Sequence, residues 1–391
     1  MRQSGVVDLP LHGGKCPQWL FLLMKRLAGN ISELIVDEYG EDELLRRLSD
    51  PYYFQALGCA LGFDWHSSGL TTTTTGALIQ ALKEKDLGSS LGIGFAGGKG
   101  KTSKKTPDDI FESADKIKLD EKKKNGLIRA SKLSAKVDSS LLQDGFQLYH
   151  HTFFFTKNNW IVIQQGMNES NNYARRYHWI SNEGLNFVSD PHEAIVSDIR
   201  TRPLNLVDKD IEETRKSSLD LINDNPIKLK KYLVVKRVND AKPRCSCNSQ
   251  TLLTDFNIKQ KFINSNNSQE VLELPKEHFP KISGDLNLML KAYEQKPEDY
   301  EELVLIRGMG AKNLRALAMI SHLVYGTPIS WRDPVKYSFA HGGKDGWPEP
   351  VDQVRFNDSI GFLKNTIKDL KINNKERQQV LKRLNRFYSQ F

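Results

Sequence analysis

Several clusters of polar side chains in this sequence have the residue types that catalyse phosphodiester hydrolysis. The reaction needs an activated water molecule and groups that neutralise the charge developing on phosphorus, and imidazole, carboxylate and amide side chains can supply both. The side chains that we select as catalytic candidates are Asp64, His66, His150, His151, Gln164, Gln165 and His178. For any single histidine, a buried and hydrogen-bonded role in the core is the competing interpretation. The number of clusters favours catalysis.

A divalent metal ion is a second source of charge neutralisation that the sequence indicates. Asp64 and His66 stand two positions apart, shortly before five consecutive threonines, Thr71 to Thr75. Carboxylate oxygen and imidazole nitrogen both bind divalent metals. We therefore predict a site for Mg²⁺ or Mn²⁺ that uses Asp64, His66 and His151. We expect the threonines to lie in the loop before a helix that begins near Ala77.

Lysine and arginine side chains mark the segments that are suited to phosphate. The segment Gly92–Lys105 holds five glycines and four lysines with few apolar residues, so we expect it to be irregular and flexible. It contains one of three Gly-Gly-Lys sequences, in which paired glycines can bring backbone N–H groups and one cation to a phosphate. We predict that basic residues of the Gly-Gly-Lys sequences, of the segment Gly92–Lys105 and of the sequence Arg-Arg-Tyr-His-Trp contact DNA. They are Lys15, Lys99, Lys101, Lys344, Arg175 and Arg176.

The clearest strand pattern in the chain is a β-hairpin. Phe146–Thr156 and Trp160–Gln165 are rich in aromatic and β-branched residues and flank the turn Lys157–Asn159. Apolar side chains occur at both parities along these strands, which indicates that both faces are covered. We therefore predict that the hairpin is central in an antiparallel sheet.

Alternation along the strand decides which polar side chains can meet. Neighbouring residues point to opposite faces, so His150 and His151 cannot both reach one site directly. With a hairpin turn of two or four residues, His151 shares a face with Gln164, and His150 shares a face with Gln165. We favour His151 as the member of a catalytic pocket, because we expect Tyr149 and Gln164 on its face.

A second hairpin, this one helical, is predicted between Glu301 and Tyr325. Two apolar-periodic segments meet at a Gly-Met-Gly turn that is too short to have structure of its own. Glycine permits positive φ and leaves the N–H groups of the turn uncovered, where the next helix begins. The segment resembles the helix-hairpin-helix motif, and the matching residues are Leu305, Ile306, Gly308, Gly310 and Lys312.

The resemblance to this motif implies that the turn holds the DNA backbone without reading base sequence, as phosphate contacts do. The residues that we predict to contact DNA there are Gly308, Gly310, Lys312 and Arg315. The alternative is an ordinary helical hairpin with glycine at a cap.

Composition narrows the class of protein and its partners. The chain has 391 residues, 39% of them hydrophobic and 27% charged, which is typical of a globular protein with a sizeable core. A net charge of +8 favours an acidic partner, for which we take DNA. Four cysteines are too few for a disulfide framework, and no apolar run is long enough to span a membrane. We expect a cytoplasmic protein.

The predicted architecture is α+β, mostly helical, with the β-hairpin in a central antiparallel sheet. We assign residues 1–240 to an N-terminal domain that carries the candidate catalytic core. Residues 241–271 are polar and rich in asparagine and serine, and we interpret them as a linker. Residues 272–391 then form the helix-hairpin-helix domain with a C-terminal extension.

Blocks of sequence along nearly the whole chain resemble a known family. They read DLPLHGGKCPQWL, SDPYYFQALGC, GFDWHSSGLTTTTTGAL, AGGKGKTSKKTP, YHHTFFF, VIQQGMN, ARRYHW and AHGGKDG. The chain is similar in these blocks to the archaeal and bacterial domain-of-unknown-function family 763. The resemblance implies a prokaryotic cytoplasmic protein and supplies no reaction.

Taken together, these patterns predict a protein that acts on the DNA backbone as a metal-dependent nuclease, in DNA processing or repair. One alternative is a non-catalytic DNA-binding factor whose histidines are core groups. The other is an enzyme acting on a small phosphorylated ligand, which depends on the Gly-Gly-Lys sequences alone. The sequence leaves open the oligomeric state and whether the DNA is single-stranded, duplex or branched.

Overall fold

Helices make up most of the described chain and pack on both faces of a five-stranded antiparallel sheet. The computed structural model describes residues 16–63, 68–233, 282–336 and 353–388. The α-helices in these ranges are α1 (Gln18–Tyr39), α2 (Glu41–Ser49), α3 (Pro51–Leu61), α4 (Gly69–Lys83), α5 (Leu87–Ser90), α6 (Thr106–Lys116), α7 (Glu121–Lys136), α8 (Glu212–Asn223), α9 (Leu286–Gln295), α10 (Tyr300–Leu305), α11 (Ala311–Tyr325), α12 (Gln353–Asp369) and α13 (Asn374–Tyr388). No helix in these ranges is both long and apolar enough to cross a bilayer.

The sheet places the predicted hairpin at its centre. The strands are β1 (Gly94–Lys99), β2 (Leu142–Gln143), β3 (Gln147–Phe155), β4 (Trp160–Asn168), β5 (Tyr173–Ile180), β6 (Ala194–Val196) and β7 (Leu204–Asn205). The main sheet has the order β1-β3-β4-β5-β6, and β2 pairs with β7 separately. Phe155 pairs with Trp160 across a four-residue turn. The α+β class and the central antiparallel hairpin are therefore confirmed.

Each face of the sheet is covered by its own hydrophobic cluster, as the apolar residues at both parities predicted. Phe154, Ile161 and Ile163 pack with α1–α4 and with α12 and α13. Phe153 and Val162 face the other way, into a cluster formed with α6–α8 and α9–α11. Because strand side chains alternate, the two clusters also determine which polar residues lie together.

The start of α3 is determined by a local capping residue, whereas the start of α4 is determined by tertiary packing. Asp50 caps α3, since its Oδ1 accepts hydrogen bonds from the N–H groups of Tyr52 at 2.7 Å and Tyr53 at 3.1 Å. The threonines Thr71–Thr75 were predicted to form a loop, and this prediction is wrong because α4 begins at Gly69. Burial on the sheet outweighs the low helix propensity of threonine.

The glycine-rich segment is ordered in a way that its composition did not indicate. Residues Gly94–Lys99 form the edge strand β1, and Gly100–Lys105 form a 3-10 helix that leads into α6. The prediction of an irregular segment is therefore wrong. The glycines are required where β1 approaches β3, since Gly97 has φ of +83° and a Cβ there would overlap the carbonyl oxygen of His151.

Each hydrophobic cluster combines helices that are far apart in the sequence. Leu363 and Leu384, from α12 and α13, pack with the N-terminal helices. Leu317 of α11 belongs to the cluster that contains Leu127 and Ala130 of α7. The division into residues 1–240, 241–271 and 272–391 stays a prediction. Most of the proposed linker lies in residues 234–281, outside the described ranges.

Candidate functional site

His150 and His151 point to opposite faces of the sheet, as strand alternation predicted. Nε2 of His151 lies 2.9 Å from Oγ of Ser131 on α7. Nε2 of His150 lies 2.9 Å from Oγ1 of Thr75 on α4, on the other face. Both imidazoles are buried, with exposed fractions of 5% and 2% for His151 and His150. The two histidines therefore belong to different hydrogen-bonded groups.

His151 has a protein partner at each ring nitrogen. Its Nδ1 lies 2.8 Å from Oε1 of Gln164, the residue paired with it across the hairpin. Burial lowers the pKa of His151, while the hydrogen bond with Gln164 and the charge of Asp138 oppose this shift. The imidazole is therefore neutral at pH 7.

Asp138 accepts a hydrogen bond from the amide of Gln164 and so fixes the orientation of this side chain. It lies in a single turn of π-helix, Val137–Leu141, that follows α7, a backbone irregularity that is frequent at functional sites. Its Oδ2 accepts hydrogen bonds from Nε2 of Gln164 at 2.6 Å and from Nε1 of Trp179 at 3.0 Å. Its Oδ1 lies 2.5 Å from Nε2 of His192. The carboxylate is fully buried.

His150 differs from His151 in having one nitrogen without a partner. The Thr75 hydroxyl donates to the carbonyl oxygen of Thr71 at 2.8 Å, so it accepts from Nε2–H of His150. Nδ1 is then unprotonated, and it has no hydrogen-bond partner among the described residues. Burial, with smaller contributions from His151 and Lys99, lowers the pKa of His150 to about 3.

Tyr149 lies differently from our prediction. We expected its side chain on the face of His151 and Gln164, but its hydroxyl accepts a hydrogen bond from Nε2 of Gln165. The reason is a β-bulge between Leu148 and His150, which shifts the alternation of β3 by one residue. His151 obtains its polar neighbours from α7 and the π-helical turn instead.

A cleft of about 230 Å³ opens above the histidines, between the 3-10 helix, α7 and β3. Both histidines line the cleft, and so do Ser131 and Gln164, the hydrogen-bond partners of His151. Its polar and basic lining includes Ser103, Lys104, Ser131, Lys132, Tyr149, His150, His151 and Gln164. Lys104 and Lys132 are exposed. We call this space the histidine cleft. The histidine cleft therefore combines neutral hydrogen-bonding side chains with two exposed cations, Lys104 and Lys132.

A second cleft, of about 540 Å³, lies on the other side of β1. It is lined by Gly98 and Lys99 of one Gly-Gly-Lys sequence, by Lys25 and Lys83, and by His150. Lys99 and Lys101 are exposed, and their contact with DNA stays a prediction. The other two Gly-Gly-Lys sequences, with Lys15 and Lys344, lie outside the described residues.

Arg175 and Arg176 were predicted to contact DNA, and the structure contradicts this. Both guanidinium groups are buried. Arg175 makes ion pairs of 2.9 Å with Asp144 and Asp333, and Arg176 donates to Oε1 of Gln55 at 3.1 Å. These arginines join the sheet to α3 and to the segment after α11. The sequence pattern did not indicate their burial.

The catalytic candidates are not gathered in one place. His151 and Gln164 lie on one face, whereas His150, Gln165 and His178 lie on the other. His178 is buried against the edge of the Phe54 ring, with 5.6 Å between ring centroids. This separation agrees with the prediction that His150 and His151 cannot both reach one site, because strands place their side chains alternately on two faces.

The helical hairpin has the expected helices on either side of its glycine turn, α10 and α11. Gly308 is exposed with φ of +92°. Gly310 does not need positive φ, since its φ is −116°. Lys312 is exposed, but Arg315 is half-buried and its Nε donates to Oε1 of Gln143 at 2.6 Å. Arg315 is therefore engaged within the protein.

The last turn of α7 connects this glycine turn to the histidine cleft. Lys132 and Ala135 line the cleft. Lys136 follows directly, and its Nζ donates to the carbonyl oxygen of Met309 at 2.8 Å. Burial lowers the pKa of Lys136. Since one helical turn rises about 5.4 Å, the cleft and the glycine turn are close neighbours on the surface.

The predicted metal ligands are only partly described. Asp64 and His66 lie outside the described residues. His151 is described, and a metal ion could bind it only by displacing Ser131 or Gln164. Within the described ranges, no group of three or more histidine, cysteine, aspartate or glutamate side chains is arranged to hold a metal ion.

Sequence reasoning missed the residues that complete the His151 site. Ser131, Asp138 and His192 were not among the candidate residues. No sequence pattern marks Ser131 or Asp138, because their importance comes from contacts with the sheet, Ser131 with β3 and Asp138 with β4 and β5.

The chain belongs to the family described as protein of unknown function (DUF763), whose model matches residues 5–351. The resemblance inferred from the sequence blocks is thus confirmed. No curated protein and no solved structure matches the chain significantly.

Proposed function

We propose that this protein binds the sugar-phosphate backbone of DNA along a basic surface formed by Lys104, Lys132 and Lys312. The observation that carries this proposal is the position of α7. Its last turn lines the histidine cleft with Lys132 and contacts the glycine turn through Lys136. Cations from three separate elements therefore stand at the cleft or at the start of the helix after the glycine turn. We place this activity in the cytoplasm.

The glycine turn adds backbone donors to these cations. The first N–H groups of α11 have no partner within the helix, and the helix dipole makes that end attractive to anions. Gly308 is exposed and Gly310 has no side chain to cover the donors. A helix-hairpin-helix contact of this kind would hold a phosphate without reading bases.

Hydrolysis of the bound backbone is the enzymatic form of this proposal, since the histidine cleft adjoins the basic surface. A metal-dependent reaction would use the face of His150 rather than that of His151. His150 has an unprotonated Nδ1 without a described partner. Its neighbour across the strands, Gln165, donates to the carbonyl oxygen of Ser68, which follows the segment containing Asp64 and His66.

Salt-dependent DNA binding tests the proposal. Removing two lysines from the surface, in Lys132→Ala/Lys312→Ala, should weaken binding of every sequence alike and reduce the slope of log affinity against log salt by about two. The matched control is Lys216→Ala/Lys228→Ala, since these exposed lysines of the α8 region lie on other elements. Gly310→Ala should also weaken binding, because a methyl group there would cover the backbone N–H donors. The position has room for this methyl group, so the variant should fold without strain. Equal slopes for wild type and the first variant would contradict the proposal.

The same DNAs, labelled and supplied as single-stranded, duplex and branched forms, measure cleavage. Incubation with EDTA, Mg²⁺ or Mn²⁺ separates a metal-dependent reaction from a metal-independent one. Binding without cleavage under any of these conditions would support a non-catalytic DNA-binding factor.

A further inference from the structure

Ser131, His151 and Gln164 form a hydrogen-bonded series at the base of the histidine cleft. The distances are 2.9 Å from Ser131 Oγ to His151 Nε2 and 2.8 Å from His151 Nδ1 to Gln164 Oε1. A hydroxyl, a base and a group that orients the base are the parts of an activated nucleophile. We propose that Ser131 is a nucleophile that attacks phosphorus of a nucleic-acid phosphodiester, with His151 as its general base; this rests on the proposed binding of a DNA backbone.

The direction of each proton in the series is determined by its inner end. Nε2 of Gln164 faces two acceptors, Oδ2 of Asp138 at 2.6 Å and the carbonyl oxygen of Ser134 at 3.2 Å. The other end of that amide is therefore its oxygen, which can only accept. Nδ1 of His151 must donate to it, and a neutral His151 then has a lone pair at Nε2. The Ser131 hydroxyl donates its proton to that lone pair.

Gln164 occupies the position that a carboxylate has in the familiar serine, histidine and aspartate arrangement. Here the carboxylate is one residue further back, as Asp138, and it holds the amide rather than the imidazole. Trp179 and His192 complete the contacts of Asp138. Gln164 is thus a positioning residue that selects the tautomer of His151 needed for a base.

The pair on the opposite face provides an internal comparison. Thr75 also lies 2.9 Å from a histidine nitrogen, but its proton goes to the carbonyl oxygen of Thr71. Thr75 therefore accepts from His150 and is not activated. Ser131 is the hydroxyl that faces a basic nitrogen.

The surroundings of Ser131 suit a phosphodiester. Ser131, His151 and Gln164 all line the cleft. Lys104 and Lys132 line its rim and are exposed, so they can neutralise charge on a phosphate that enters. The last turn of α7, which carries Lys132, also contacts the glycine turn through Lys136. A bound backbone would therefore pass the hydroxyl.

The reaction balances with water as the only co-reactant. Ser131 Oγ forms a bond to phosphorus, the bond from phosphorus to the leaving sugar oxygen breaks, and His151 passes the serine proton to that oxygen. Water then attacks the phosphoserine diester while His151 takes a proton from it. The bond from Oγ to phosphorus breaks, and the proton returns to Ser131.

A fluorophosphonate probe tests the nucleophile independently of DNA. Such probes phosphonylate activated serines with loss of fluoride, and peptide mass spectrometry locates the modified residue. Ser131 of the wild type should be labelled, and the Ser131→Ala variant should carry no label at this position. In His151→Gln, Ser131 should be labelled at least about 100-fold more slowly than in the wild type. The matched control is Ser134→Ala, which removes a buried hydroxyl of the same helix that bonds only the carbonyl oxygen of Ser131. Melting temperatures check that each variant is folded.

The pH profile distinguishes an activated serine from an exposed one. Labelling should fall on acidification as His151 takes a proton, with a midpoint below the ordinary histidine pKa because burial lowers it. Absence of label on Ser131 in the folded wild type would overturn the proposal, and so would equal labelling rates in wild type and His151→Gln. DNA binding without labelling refutes the nucleophile alone. Labelling without DNA binding refutes the proposed partner and leaves the nucleophile standing.

Discussion

At the residue scale, the two neighbouring histidines show how one strand serves two sites. His151 is held by Ser131 and Gln164 on one face, and His150 by Thr75 on the other. Both are buried and neutral, so protonation of either one disfavours the folded state. The alternation of β3 therefore makes the stability of the fold, as well as its chemistry, depend on pH.

His150 should destabilise the protein in acid. Its pKa is lowered from 6.5 to about 3 in the folded state, so the unfolded chain binds the proton first as pH falls. The resulting loss begins below pH 6.5 and is complete near pH 3, reaching about 5 kcal/mol. In His150→Gln, the free energy of unfolding should change less between these pH values than in the wild type.

Urea unfolding at a series of pH values measures this difference. Gln147→Ala is the control, since Gln147 is an exposed and uncharged residue of the same strand. If wild type and His150→Gln lose stability in parallel on acidification, then His150 is not the group responsible.

At the element scale, the edge strand β1 and the 3-10 helix after it determine where the lysines stand. β1 pairs with β3 from Gly94 opposite Phe155 to Lys99 opposite His150. This pairing holds the 3-10 helix, with Lys104, beside α7. A composition that indicated flexibility is ordered because the strand hydrogen bonds to the central hairpin.

Gly97 should be essential for this element, whereas Gly100 should not. Both have positive φ, but a Cβ at Gly97 would overlap the carbonyl oxygen of His151, and one at Gly100 meets nothing within 4 Å. Gly100→Ala should therefore cost about 1 kcal/mol from backbone strain alone. Gly97→Ala should cost clearly more and should disturb the pairing of β1 with β3.

Thermal unfolding and amide hydrogen exchange in β1 compare the two variants. A Gly97→Ala protein with the stability of Gly100→Ala and full protection in β1 would contradict the assigned pairing.

At the scale of the whole molecule, the sheet is enclosed by elements from both ends of the chain. Helices α12 and α13 pack on α3 in the cluster of the N-terminal helices. Helices α9–α11 pack in the other cluster, with α7 and α8. The ion pairs of Arg175 with Asp144 and Asp333 join distant parts of the chain in the same way.

The C-terminal helices should therefore stabilise the N-terminal ones. Leu363 of α12 is fully buried in their cluster, so Leu363→Ala should lower the free energy of unfolding by about 2 to 5 kcal/mol. Amides of α1 and α3 should lose protection from exchange together with α12. The control is Asn365→Ala, an exposed position in the same helix. Unchanged protection of α1 and α3 in Leu363→Ala would mean that α12 folds apart from them.

The sequence by itself determined the elements whose signals are local. The hairpin of β3 and β4 and the glycine turn between α10 and α11 follow from residue periodicity and backbone preferences. Alternation also predicted correctly that His151 shares a face with Gln164 and His150 with Gln165, because a turn of two or four residues leaves the same parity. The family followed from sequence blocks along most of the chain.

Tertiary structure alone decided which side chains form a site. Ser131 and Asp138 come from a helix and a π-helical turn that are remote from His151 until α7 packs on the sheet, so no spacing in the sequence could predict them. The same packing buried Arg175 and Arg176, which local charge had marked as surface groups. It also ordered β1 and made the threonines of α4 helical, because burial and long-range hydrogen bonds outweigh local propensity.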